Sequence, residues 1–125
     1  MTENDIGTVI VRCALEVHKK LGPGLLESSY QTCLSHELIQ AGLSVQKEAS
    51  LPVIYKDLKM ECGYRIDLWV NQKVIIETKS VDALNDIHFA QLLTYLKLSD
   101  NRLGYLINFN VLRIKDGIRR VVNNL

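Results

Sequence analysis

The chain has 125 residues, 47% of them hydrophobic, with 15 basic against 14 acidic side chains and a formal net charge of +1. That length suits one compact domain with a single core, and the near balance of charge excludes the global basic field of a polycationic binder, so any contact with a phosphate backbone has to come from a local patch. Cys13, Cys33 and Cys62 are odd in number, widely spaced and without a C-x-x-C pair, which argues against a disulfide framework, a structural zinc site or an iron–sulfur cluster. No basic and apolar leader and no membrane-length apolar run is present, so the expectation is a soluble, cytoplasmic protein with reduced thiols and no membrane partner.

Residues 4–20 place Ile6, Val9, Ile10, Cys13 and Val17 at helical spacing, followed by Leu21, with Asn4 or Asp5 as the N-cap. Gly22-Pro23-Gly24 stops that helix, and residues 25–41 form a second, with Leu26, Tyr30, Cys33 or Leu34, Leu38 and Ile39 inward and Gly42 as its stop. Glu27 and Tyr30 are three apart and share a face of its first turns. A glutamate there serves the helix macrodipole or, packed against the strands that follow, supplies a carboxylate to them.

Residues 45–55 read as a strand in which Pro52 marks an edge or a bulge, residues 56–59 as a turn, and residues 60–70 and 74–79 as two further strands of an antiparallel meander. Residues 81–85 are a loop. Residues 86–98 form a helix with Ile87, Ala90, Leu93 or Thr94, and Lys97 on one side and His88, Gln91 and Tyr95 on another. Residues 102–108 are a strand, 111–115 a further short one, Asp116-Gly117 a hairpin turn and 118–122 the closing strand. Arg113, Lys115, Arg119 and Arg120 cluster in this last hairpin, where they meet a phosphate backbone or guard an exposed strand edge. The order α-α-β-β-β-α-β-β, with one extra strand, places the chain in the α/β class as an α+β mixed sheet with helices packed against it.

The chemistry concentrates in residues 64–80, YRIDLWVNQKVIIETKS, where Asp67, Glu77 and Lys79 interrupt two strand-like apolar runs. With Asn71-Gln72-Lys73 as a three-residue turn, the register pairs Trp69 with Ile75, Asp67 with Glu77 and Arg65 with Lys79 on one face, and leaves Ile66, Leu68, Ile76 and Thr78 on the other. Two carboxylates across a hairpin repel and need a compensating cation. A divalent metal is one: Mg²⁺ takes one or two carboxylates plus waters and phosphate oxygens, and Lys79 would point into the same site. That set suits phosphodiester hydrolysis, with the ammonium stabilising developing charge or orienting water. The plainer alternative is a solvated strand face on which Arg65 and Lys79 are ordinary partners of Asp67 and Glu77.

The string Gly24-Leu25-Leu26-Glu27-Ser28-Ser29-Tyr30, with Asp67, Glu77-Thr78-Lys79 and Gln91-x-x-x-Tyr95, resembles the GxxExxY family of the PD-(D/E)XK nuclease superfamily over nearly the whole chain. The resemblance implies a restriction-endonuclease-like αβββαβ core with an additional N-terminal helix, in a single domain. It makes Asp67 and Glu77 metal-binding carboxylates for Mg²⁺ or Mn²⁺, with the Thr78 carbonyl as a further ligand and Lys79 as the catalytic amine. Glu27 would complete the metal cluster, and Gln91, Tyr95 and Tyr30 would contact substrate. Ile66 stands where the superfamily often has proline, and the four cysteines of iron–sulfur relatives are missing, so no cluster is expected. The implied partner is nucleic acid, DNA first, gripped through a homodimer or a partner protein. The alternatives are a catalytically inactive nucleic-acid-binding or protein-interaction module on the same fold, and a hydrolase of small phosphate esters, for which no Gly-rich phosphate loop exists.

Overall fold

The computed structural model describes residues 1–61 and 63–125 of the chain. Its first helix, α1 (Glu3–Leu21), is capped two or three residues earlier than expected, by Thr2 rather than Asn4 or Asp5. The Thr2 hydroxyl accepts from the Asp5 N–H at 3.1 Å, and the Asp5 carboxylate accepts in return from the Thr2 N–H at 2.9 Å, a reciprocal pairing that satisfies two otherwise orphaned donors. Helix α2 (Glu27–Gln40) starts later than expected and leaves Leu26 and Ile39 exposed, while Tyr30, Leu34 and Leu38 are buried. Tyr30 accounts for the late start. Its hydroxyl donates to the Gly22 carbonyl at 2.6 Å and accepts from the Leu25 N–H at 3.1 Å, which ties down the link between the helices. Gly24, at φ +98°, gives that link a conformation that L side chains rarely adopt.

The expected strand over 45–55 is two pieces, β1 (Val45–Ser50) and β2 (Val53–Tyr55), and the one over 60–70 is likewise β3 (Leu58–Met60) and β4 (Arg65–Val70). Pro52 has no N–H to continue a ladder, so pairing with β4 ends at Leu51, whose N–H donates to the Tyr64 carbonyl at 2.9 Å. β2 and β3 then pair only with each other, as a separate two-stranded hairpin. The main sheet runs β1, β4, β5 (Val74–Lys79), β6 (Leu103–Asn108), β7 (Ile118–Val122). Among the described residues only β5 and β6 pair in parallel, joined across the sheet by α3 (Asp86–Ser99). The short strand expected over 111–115 is instead a loop and a 3₁₀ turn, Ile114–Asp116, which buries Ile114.

Helices α1 and α2 cover one face, over Leu68, Val70, Val74, Ile76, Tyr105 and Ile107. On that side the Tyr30 ring stacks on Phe109, with centroids 4.6 Å apart and planes 6° apart. Helix α3 covers the other face, over Ile66, Ile75 and Leu106. One expectation is corrected here: Ile66 packs with Ile75 on the α3 side, not with Leu68 and Ile76. The inward stripe of α3 is Leu92, Tyr95 and Leu96, while Ile87 is 69% exposed. Gly104 sets that rotation, since it leaves a notch on β6 into which the Leu92 methyls fit. Cys13 and Cys33 are free thiols, and Cys62 lies outside the described residues. Among the described residues no helix is long and apolar enough to cross a membrane.

Tyr30→Phe keeps the ring stack and removes both phenol hydrogen bonds, and is expected to lower stability by about 1–2 kcal/mol. Urea unfolding checks this; an unchanged midpoint would show that the phenol does not hold the α1–α2 link.

Candidate functional site

The β4–β5 hairpin turns through Asn71 and Gln72 at φ +51° and +54°, and its register is Val70 with Val74, Trp69 with Ile75 and Leu68 with Ile76. The far end of the turn is fixed by Asn101. Its side chain accepts from the Trp69 indole N–H at 2.6 Å and donates to the Gln72 carbonyl at 3.0 Å. Beyond Leu68 the rungs are made by side chains. The Asp67 N–H donates to Glu77 Oε2 at 2.9 Å, while the Thr78 N–H and hydroxyl donate to Asp67 Oδ2 at 2.9 and 3.0 Å. The β4–β5 pairs end at Leu68 and Ile76, short of the expected Arg65–Lys79 rung; on their other edges Arg65 pairs with Ser50 of β1 and Lys79 with Asn108 of β6.

Hydrogen bonds hold both carboxylates in place, but burial opposes their charge. Glu77, 4% exposed, has its pKa pushed up to about 8, first by burial and then by the negative charge of Asp67, against the Asp67 N–H bond and the Lys79 ammonium. Asp67 is also raised by burial, in spite of its bonds from Thr78 and the charge of Lys79. The Tyr95 phenol is raised by burial and then by Glu77 and Asp67. The hydrogen bonds tie Asp67, Glu77 and Thr78 into one locus, and the charge of Lys79 opposes the rise at both carboxylates.

Reading the sequence missed Glu48. It also bears on both carboxylates, raising each, and its Oε1 accepts from Gln31 Nε2 at 2.8 Å. The same Gln31 nitrogen donates to the Asp67 carbonyl at 3.1 Å, so a buried amide on α2 clamps β1 to β4 at the site. On a half-exposed strand Glu48 reads as a solvent residue; only its place opposite Asp67, between the Lys47–Leu68 and Ala49–Ile66 rungs, marks it.

The other expected residues are placed as follows. Glu27 is exposed, and its Oε2 accepts from the Ser80 N–H at 3.4 Å, just past Lys79. Ser80 Oγ donates to the Leu25 carbonyl at 2.6 Å, so the start of α2 is latched to the end of β5. No three Asp, Glu, His or Cys side chains among the described residues gather as a group able to hold a metal. Tyr30 is fully buried in the helix-side core and is corrected from a substrate contact to a structural residue. Gln91 is exposed on α3, one turn before Tyr95.

The donor set fits a hard divalent cation without a third protein carboxylate. Asp67, Glu77 and the Thr78 carbonyl are oxygen ligands of the kind Mg²⁺ and Mn²⁺ accept, with water filling the remaining positions. A buried Glu77, which retains its proton near neutrality, beside a half-buried Asp67 forms a locus short of positive charge.

Glu77 ionises near 4.5 when unfolded and near 8 when folded, so between those values the folded chain holds the extra proton. The associated stability is full below about pH 4.5 and is lost as pH rises to about 8, by up to about 1.4 kcal/mol per pH unit. Urea unfolding in EDTA between about pH 5 and 8 is expected to show this decline, and Glu77→Gln to flatten it. The proton must leave before Glu77 can ligate, so Mn²⁺ affinity should rise with pH over the same window; an affinity independent of pH would contradict the assignment of Glu77.

The sequence model of the PD-(D/E)XK nuclease superfamily matches residues 4–121. No protein of curated function and no solved structure matches the chain. A five-stranded mixed sheet flanked by three helices agrees with a restriction-endonuclease-like fold. With that match running from the first helix to the last strand of such a fold, the chain belongs to the PD-(D/E)XK nuclease superfamily.

Proposed function

We propose that this single-domain protein is a metal-dependent nuclease of the GxxExxY branch that hydrolyses phosphodiester bonds in nucleic acid, with DNA as its first substrate. The observation that carries the reading is the opening of the β4–β5 ladder at Asp67 and Glu77, with Lys79 acting on both carboxylates. Asp67, Glu77 and the Thr78 carbonyl hold the Mg²⁺ or Mn²⁺, which when bound polarises a phosphoryl oxygen and lowers the pKa of water. The Lys79 ammonium stabilises charge developing on the phosphate or orients the attacking water. Gln31 and Glu48 hold β1 and β4 in register at the site, and Tyr95 and Gln91 lie toward the substrate.

The string from Gly24 to Tyr30 supports the branch assignment in physical terms. Gly24 gives the loop its turn, Tyr30 pins it, and Glu27 is left at the end of β5. A net charge of +1 provides few sequence-independent phosphate contacts, so a duplex would be gripped through a second copy or a partner protein. The same charge favours the second reading, an inactive nucleic-acid-binding or protein-interaction module, against which stand the intact carboxylates and lysine.

Calorimetric titration of Mg²⁺ and Mn²⁺ is expected to give binding to the native protein and little to Asp67→Asn. With metal supplied, cleavage of single- and double-stranded DNA is expected to fall about 100-fold or more in Lys79→Ala. Equal cleavage by native protein and variant would place the activity elsewhere, and metal binding without cleavage would favour the inactive module.

A further inference from the structure

Beside the acidic locus, between the β2–β3 hairpin and α3, runs a groove of about 610 Å³, a size common among small-molecule sites. Met60 and Ile87 form apolar walls, Tyr64 and Tyr95 contribute rings, and Gln91 and Thr94 add polar groups. Tyr64 is 48% exposed and Ile87 69% exposed. None of the described residues lining the groove is charged, so it offers no anchor for phosphate. It is nonetheless next to the catalytic locus, because Tyr95 lines it and also packs in one cluster with Trp69 and Ile75, two residues along β4 and β5 from Asp67 and Glu77.

We propose that this groove takes an unpaired base of the nucleic-acid strand whose backbone lies at Asp67, Glu77 and Lys79, with Tyr64 as the stacking platform, so that the substrate is a single strand or a frayed end. The inference rests on the nuclease reading and deepens it. An apolar slot with an exposed aromatic face and neighbouring amide and hydroxyl groups matches a base, which presents a flat apolar face and a hydrogen-bonding edge. In an intact duplex the bases are stacked inside and the strand offers only phosphates, for which the groove has no partner. Base stacking also supplies affinity that a chain of net charge +1 cannot draw from phosphate contacts alone.

The test is fluorescence anisotropy of the full chain in EDTA, where metal-dependent cleavage is off, with three labelled probes of about 12 nucleotides: a thymidine strand, an abasic strand and a blunt duplex. The native protein is expected to bind the thymidine strand about tenfold more tightly than the other two, the scale of one base–aromatic stack. Tyr64→Ala should lose that preference while binding the abasic strand as before, a readout that unfolding would not give, and Tyr64→Trp should keep the preference. Equal affinity for the three probes, no binding at all, a preference that survives in Tyr64→Ala, or a dimer in sedimentation that buries the groove would each overturn the inference. Cleavage with Mn²⁺ separates the two readings. Active native protein without base discrimination sinks this inference alone, and base discrimination with all substrates left intact by Mn²⁺ sinks the nuclease reading alone.

Discussion

Two carboxylates directly opposed across a hairpin repel each other, and the rest of this site follows from how the chain resolves that conflict. Asp67 and Glu77 take over the rungs themselves: one accepts from the Thr78 N–H, the other from the Asp67 N–H. The backbone donors are satisfied, as buried donors must be, and the two acids are fixed by bonds that do not depend on a ligand. Their charge is what remains unresolved. Burial and mutual repulsion leave Glu77 holding a proton near neutrality, and a divalent cation is the group that would discharge both acids at once.

The surrounding fold holds that arrangement at three points. The tip of the hairpin is locked by Asn101 through Trp69 and Gln72. The outer strand is held by Gln31, which reaches from α2 to Glu48 and to the Asp67 carbonyl. The open end of β5 is held by Ser80 against Leu25 and by Asn108, whose side chain accepts from the Val81 N–H and donates to its carbonyl. Helix α2 enters two of these three, through Gln31 and through Glu27, which accepts from the Ser80 N–H, so a helix that buries the core on one face also sets the geometry of the site.

Much of this was legible in the residues and some was not, for reasons that differ. The turn at residues 71–73 fixed parity, and parity alone placed Asp67 opposite Glu77. Element order, the Gly22–Gly24 break and the closing strand were likewise local signals. Glu48 was invisible because its role depends on a positive φ in the middle of a strand, which no alternation pattern encodes. The resemblance implies a substrate contact for Tyr30, yet its ring is buried against Phe109. Spacing alone does not say which side of α3 turns inward, because Ile87 is as apolar as Leu92; the notch at Gly104 on another element chooses between them. Local chemistry reached the hairpin, and tertiary contacts decided the rest.

The most direct measurement of the central claim is the anomalous difference density of a crystal soaked in Mn²⁺. A peak between the Asp67 and Glu77 carboxylates, bordered by the Thr78 carbonyl and absent from Asp67→Asn crystals, is the result expected. Density at that position without manganese, with both carboxylates keeping their bonds to the Asp67 and Thr78 N–H groups and nothing else, would contradict it.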